Sequence, residues 1–600
     1  MPELCRVLAG SADLDRRRVT VRRLITLACW VLLPYAGAVA QVAKDAVVRY
    51  EDVRHPVFGA SGMVAAQNAT AARVGAQVLA DGGNAVDAAV AIGFSLAVTL
   101  PRAGNLGGGG YMLVYDAEAD KTIAIDYREM APPSATRDMF LDHLGNADAA
   151  RSRFSHLAAG VPGTVAGLHL AHQEYGRLPW TSLLQPAIEL ARDGIIVSYD
   201  LADLLRARQS RLCRHETTCE YFYKAGGDPY EPGERLIQDD LAESLQAIAD
   251  DGPDAFYSGA IADKIIAEMQ AGGGLVDAAA LAAYKPVIRQ PLRGTYRGYD
   301  IVVMPPSSSG GVHVLQMLNI LERFPIAALG VGSADSVHLL AEVMRVAYAD
   351  RSKHLGDTDF YPVPIDWLTS KKYAQQLAAT IDLQKARPSS EVAAGVVPVP
   401  ESEDTTHFSV IDRDGNVVSN TYTLNLSFGS GISVGGAGFL LNNEMDDFVS
   451  KPGVANTFGL LGGMANSIES GKRPLSSMTP TIVFANDEPW FATGSPGGSR
   501  IITTVLQMLV NVIDHGMNIA EATGVPRMHH QWYPDLLQLE PGFSPDTIRI
   551  LETRGHEVKS MRRSMGSLQT VEFKEGVFRG ASDPRRPNSL SIAPASMVVE

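Results

Sequence analysis

Thr405 is the residue whose type and position could do the most chemistry. It opens the segment Thr405-Thr406-His407-Phe408-Ser409, directly behind the acidic run Glu401-Ser402-Glu403-Asp404 and directly ahead of a β-rich stretch. A strand that begins on a threonine, behind an exposed acidic loop, suits a chain cut at Asp404-Thr405. After such a cut one residue would carry both a hydroxyl and a free α-amine, a nucleophile with its own base attached. A free α-amine has a pKa of roughly 7.7–8.0, so part of it is unprotonated at neutral pH and fit for general-base work.

Acyl transfer also needs an oxyanion site and a substrate clamp. Gly494-Ser495-Pro496-Gly497-Gly498-Ser499-Arg500 lies between a predicted strand and a long apolar helix. Glycines let a backbone approach a substrate, and a helix N-terminus offers unpaired N–H groups. Asn442 to Phe448 carries Glu444, Asp446 and Asp447, flanked by apolar Phe439-Leu440-Leu441 and Phe448, and offers carboxylates to an ammonium group. Two rival motifs are weaker. Gly431-Ile432-Ser433-Val434-Gly435 fits G-x-S-x-G, but glycines follow it where a nucleophile elbow needs a helix. His529-His530 has no spaced partner that would make a metal motif, so both read as core or surface histidines.

These residues need elements to position them. Ser409 to Ile411 and Val417 to Thr423 read as strands joined through the turn pair Asp414-Gly415. Thr421 and Thr423, two apart, share a face, which Asn425 continues if the strand persists. Helices are expected over Asn68 to Leu79, Ala85 to Val98, Val165 to Tyr175, Ser182 to Asp193, Leu241 to Asp250, Ile261 to Gln270, Val312 to Phe324, Ser333 to Asp350 and Ile501 to Asp514. Further strands are expected over Tyr111 to Tyr115, Thr122 to Asp126, Phe439 to Leu441, Thr481 to Ala485 and Trp490 to Thr493. Gly107 to Gly110 reads as close backbone packing under a strand. Lys385 to Asp404 reads as a mobile surface linker.

The string Thr405 to Gly429 closely resembles the γ-glutamyltranspeptidase signature: Thr, a small residue, His, then Gly-Asn, Thr-x-Thr-x-Asn and an aromatic-Gly end. Segments at Gly82 to Ala89, Gly107 to Gly110, Tyr127 to Pro132, Pro305 to Gly311 and Ala581 to Arg585 also look like family segments, so the resemblance covers essentially everything after residue 40. It implies an α+β fold, the four-layer αββα sandwich of N-terminal-nucleophile hydrolases, shared by a large subunit (41–404) and a small one (405–600). It also implies glutathione or other γ-glutamyl compounds as donors, water, amino acids or peptides as acceptors, and no metal or cofactor.

By the same resemblance Thr423 orients the Thr405 hydroxyl, and Gly497 and Gly498 form the oxyanion site. Asn425, Glu444 and Asp447 bind the substrate α-amine. Arg128 binds its α-carboxylate with a planar fork, aided by Ser476 and Ser477. Two positions depart from bacterial relatives: Asp404, often Gln, and Phe458, commonly a lid Tyr. A glutaryl or cephalosporin-type acylase of the same fold is the alternative activity, and a non-catalytic secreted binding protein a further one.

Composition frames this reading. The chain has 600 residues, 46% hydrophobic and 20% charged, with net charge −15 and pI near 5.4, which argues against nucleic acid as a partner. Arg16, Arg17, Arg18, Arg22 and Arg23 precede the apolar run Leu24 to Tyr35 and then Ala38-Val39-Ala40, the order of a secretory signal (1–40). The expectation is a periplasmic or secreted protein, free of the membrane once the signal is removed, with an uncleaved N-terminal anchor as the alternative. In an oxidising compartment Cys213 and Cys219 can close a small disulfide loop.

Overall fold

The structure, a computed structural model, describes residues 53–392, 405–451, 454, 462–562 and 564–595. The expected signal, Asp404 and Phe458 lie outside these residues.

Strand parity builds the layers. In Gly62–Ala66, Met63 and Ala65 enter a core with Tyr111, Leu113, Ile411, Val302, Ile482 and Val571, whereas Val64 and Ala66 meet the helical residues Ala72, Ala88 and Ile92. Tyr299–Val303 behaves alike: Val302 joins the first core, and Ile301 and Val303 pack with Met344 and Leu506. Both faces of each sheet are covered, which is why the strands read as near-continuous apolar runs.

Two seven-stranded sheets result among the described residues. One runs Leu590–Ile592, Gly62–Ala66, Thr406–Asp412, Val417–Thr423, Gly109–Asp116, Lys121–Tyr127, Val287–Arg289. The other runs Val57–Gly59, Val577–Ser582, Gln569–Lys574, Glu488–Thr493, Thr481–Ala485, Tyr299–Val303, Leu292–Tyr296. Every pairing within them is antiparallel. Helices including Ala69–Ala80 and Ala85–Thr99 cover the first sheet; Gly310–Leu321, Ala334–His354 and Arg500–Ile513 cover the second. This is the αββα sandwich, and each sheet draws strands from both sides of residue 404.

Local chemistry explains the boundaries. Asn84 caps Ala85–Thr99 in a capping box with Asp87, and every residue of that helix is buried. Asp412 accepts from the Ala85 N–H at 2.9 Å and, through its other oxygen, from Asp414 and Asn416, tying the hairpin turn to the helix start. Asn486 and Asp487 both take positive φ in the tight turn that joins Thr481–Ala485 to Glu488–Thr493.

Two expectations change. Phe439 to Leu441 makes isolated bridges, Ser433 with Leu440 and Gly107 with Leu441, and no strand, because left-handed glycines at 436 and 438 turn the chain there. The first part of the expected linker is packed: Ser389 is buried, its Oγ donates to Trp532 O at 2.6 Å, and the Trp532 indole donates back to Ser389 O at 2.9 Å.

Candidate active site

The register Thr406↔Tyr422 and His407↔Thr421 sets Thr405 opposite Thr423, and their Oγ1 atoms lie 3.3 Å apart. Thr423 Oγ1 also accepts from the Asn425 N–H at 2.9 Å. The glycine run beneath is a steric necessity: a Cβ on Gly108 would stand 2.0 Å from Thr423 O, and one on Gly110 2.5 Å from Thr421 O. Asn105 Nδ2 donates to the same Thr423 carbonyl at 2.9 Å.

His407, two residues on, faces the second sheet. Ser409 Oγ donates to Gln569 O at 2.9 Å, so it accepts from His407 Nε2, 3.0 Å away, and Nδ1 accepts from Thr421 Oγ1 at 2.8 Å. Burial pushes the imidazole down to about 3, so it stays neutral and acts as a strut between the sheets. Its ring leaves no room for a side chain at Gly494, whose Cβ would lie 2.4 Å from it.

Gly497 and Gly498 adopt φ of +135° and +55°, conformations that side chains disfavour. Their carbonyls accept from Arg500 N at 3.0 Å and Ile501 N at 3.2 Å, so the pair leads into the first turn of Arg500–Ile513.

Arg128 is buried at the end of Lys121–Tyr127. Its guanidinium contacts Glu444 and, at 2.5 Å, Asp447, with Glu129 at 3.5 Å and Pro474 O at 3.2 Å. Glu444 and Asp447 share one short 3-10 turn, Glu444–Asp447. Three carboxylates therefore crowd one cation. Burial outweighs the attraction of Arg128 and raises all three carboxyls, Asp447 to about 6 and Glu129 to about 7. The buried Asn425 Oδ1 has no hydrogen-bond partner among the described residues, although its Nδ2 donates to Asn443 O at 3.0 Å.

These groups share a pocket lined by Arg128, Thr405, Thr423, Asn425, Glu444, Asp447, Ser476, Ser477 and Gly498, together with Arg351, Leu475, Met478 and Ile501. Of the residues named from the sequence for the reaction and the clamp, only Gly497 is not in that wall; it stands one residue behind Gly498. Arg351 was not foreseen. It donates from Nε to Ser309 Oγ at 2.8 Å and from Nη2 to Ser477 Oγ at 3.2 Å, and burial lowers it to about 10. Its helix is buried on almost every side, so periodicity marks it only as helical.

Elsewhere, Cys213 and Cys219 are bonded to each other across the end of Tyr199–Leu212. Ser433 sits in a glycine-rich loop with no helix after it, and His529 and His530 are buried and hydrogen-bonded to Thr503, Gln531 and Asp535.

An αββα sandwich with a threonine hydroxyl at a strand start, opening on a charged cavity, defines the class of N-terminal-nucleophile hydrolases. The gamma-glutamyltranspeptidase family profile matches residues 71–593. The chain is 53% identical over 580 residues to the glutathione hydrolase proenzyme of Escherichia coli K12, spanning 96% of this chain and 98% of that one. It is 45% identical to the glutathione hydrolase proenzyme of Pseudomonas sp. A14, over 90% of this chain and 95% of the relative. Among solved structures, a cephalosporin acylase from Bacillus halodurans superposes with a TM-score of 0.80 at 27% identity, covering 92% of this chain and 99% of that one. This chain belongs to the γ-glutamyltranspeptidase family.

Proposed function

We propose that the protein is a glutathione hydrolase and γ-glutamyltransferase made as a self-cutting precursor. Thr405 Oγ1 attacks the Asp404 carbonyl, the peptide bond breaks as the ester forms, and the nitrogen takes the proton. Water then opens the ester, leaving a 41–404 large subunit and a 405–600 small subunit that begins at Thr405. Both sheets mix strands from the two pieces, so the fold stays joined after the cut.

In the mature enzyme the α-amine of Thr405 takes the hydroxyl proton, and Oγ1 attacks the γ-amide of glutathione or another γ-glutamyl compound. Thr423 orients that hydroxyl. The N–H groups at Gly497 and Gly498 stabilise the oxyanion, the amine leaves with the proton, and water, an amino acid or a peptide discharges the γ-glutamyl ester.

The observation that carries this reading is the shared cavity of Thr405 and the Arg128–Glu444–Asp447 cluster. With no substrate, opposite charges satisfy one another. An α-amino acid end offers both partners at once: its ammonium takes Glu444, Asp447 and the unpartnered Asn425 Oδ1, and its carboxylate takes Arg128, aided by Ser476 and Ser477. The exchange keeps every charge paired.

The acylase likeness supports a second reading, in which a glutaryl side chain is the substrate. A glutaryl group has no ammonium and would leave two buried carboxylates without a cation, so the clamp favours γ-glutamyl donors. Hydrolysis of γ-glutamyl and glutaryl anilides by the purified enzyme decides between them; faster glutaryl turnover contradicts the proposal. Residues 1–40 are proposed as an export signal to the periplasm or the medium. Among the described residues no helix is long and apolar enough to cross a membrane.

A further inference from the structure

We propose that the chain carries a zinc site, separate from the reaction cavity, formed by His338, Glu342 and His556. His338 and Glu342 lie one turn apart on Ala334–His354 and share a face; His556 follows the helix Pro545–Thr553. One ligand atom from each lies within 4.8 Å of the others, and all three residues are buried. No other cluster of this kind occurs among the described residues.

The surrounding contacts orient the donors. His338 Nε2 donates to Asp382 O at 2.7 Å, which turns the Nδ1 lone pair toward the cluster. A backbone carbonyl behind a ligating imidazole is a common outer support of metal sites. Glu342 Oε1 is held by the Arg345 guanidinium and, at 3.3 Å, by the Arg387 N–H, while Oε2 has no partner among the described residues. Asp535, 3.1 Å from Arg345, offsets that neighbouring cation.

Without a metal, His556 Nε2 donates to His338 Nδ1 at 2.8 Å, and His556 Nδ1 and Glu342 Oε2 remain buried with no partner among the described residues. Such orphaned groups are unfavourable and uncommon. Zinc would take the place of the proton between the two imidazoles, which moves to His556 Nδ1, and would give the buried Glu342 Oε2 the partner it lacks among the described residues. The ion bonds His338 Nδ1, His556 Nε2 and Glu342 Oε2, and a water completes the tetrahedron. Two imidazoles and a carboxylate form an established zinc donor set.

His338 and Glu342 precede residue 404, and His556 follows it. If the chain is cut as proposed above, the ion would bridge the two subunits beside the Asp382 to Ser389 segment that leads to the cut. That consequence rests on the cleavage; the metal site does not.

The test is titration of chelator-treated protein with Zn²⁺ by calorimetry and with Co²⁺ by visible absorption. The expected result is one Zn²⁺ per chain and the intense Co²⁺ band of a tetrahedral site. Glu342→Gln and His556→Gln should each weaken binding by more than the ~10–100-fold that losing an outer-shell partner costs. Thr405→Ala, left uncut, should bind zinc as the parent does, so a failed cleavage proposal would not touch this result. No stoichiometric zinc in the parent, or unchanged binding in both variants, overturns the site. If the variants misfold, the parent's Co²⁺ spectrum decides, and a weak octahedral band overturns it.

Discussion

Thr405 and Thr423 face each other across the open end of an antiparallel pair, hydroxyl to hydroxyl at 3.3 Å. The relationship follows from strand register: with Thr406 opposite Tyr422, the residue before the first strand must meet the last residue of the second. If that contact aims the nucleophile, Thr423→Ala should lower kcat about 10²-fold, the size of effect a misplaced reacting group produces. Thr423→Ser should retain most of the activity. Steady-state kinetics on a γ-glutamyl anilide, with the cut fraction quantified on a gel, separate the effect on turnover from that on processing.

Arg128 contacts both Glu444 and Asp447. Arg128→Gln should leave two buried carboxylates without it and destabilise the fold by about 3–5 kcal/mol, read by denaturant unfolding. Arg128→Lys keeps the charge and loses the fork. Its stability should be closer to the parent, with KM for γ-glutamyl donors raised at least about tenfold.

The carboxyl cluster also sets a pH dependence. Asp447 and Glu129 are raised from ordinary values of 3.8 and 4.5 to about 6 and 7, and Glu444 is raised as well. The folded chain therefore holds protons that the unfolded chain has released between about pH 4 and 7. The cluster's contribution to stability is greatest below that window and declines as pH rises through it. Binding runs the other way: an ammonium needs ionised carboxylates, so KM should rise as pH falls from 7 to 6. Glu129→Gln removes one competing charge and should move this acid limb to lower pH. A KM profile of the variant that coincides with the parent's would contradict the coupling.

Gly497, at φ +135°, occupies backbone space that an L-residue rarely enters. Gly497→Ala should twist the N–H groups away from the developing oxyanion and cut kcat by about 10²–10³-fold, with little change in KM. Stopped-flow measurement of the acylation step gives the direct readout.

Much of this was legible in the residues, for reasons that differ by element. Ala85–Thr99 announces itself as a long, mostly apolar run, and the hairpin Thr406–Asp412 and Val417–Thr423 through two β-rich runs joined at Asp414-Gly415; the capping box of Asn84 and Asp87 emerges only in the structure. Thr405, Gly498 and the carboxylates of Asn442 to Phe448 could be read from type and position, whereas Arg128, Ser476 and Ser477 were legible only through family resemblance, since nothing local in them tells a clamp from a surface group. Arg351 escaped because a charge inside an all-buried helix leaves no periodic trace. The direct pairing of Arg128 with Glu444 and Asp447 escaped too, because reading each residue against the substrate hides how the groups satisfy one another without it. Phe439 to Leu441 looked like a strand because apolar runs do not encode whether a sheet edge is there to receive them.

The central claim is that scission makes Thr405 the first residue of a new polypeptide. N-terminal sequencing of the smaller band from the purified protein tests it most directly. The account predicts a sequence beginning Thr-Thr-His-Phe-Ser, and a single uncut, inactive chain for Thr405→Ala. A small fragment that starts at another residue, or a Thr405→Ala protein that still separates into two pieces and turns over substrate, would contradict it.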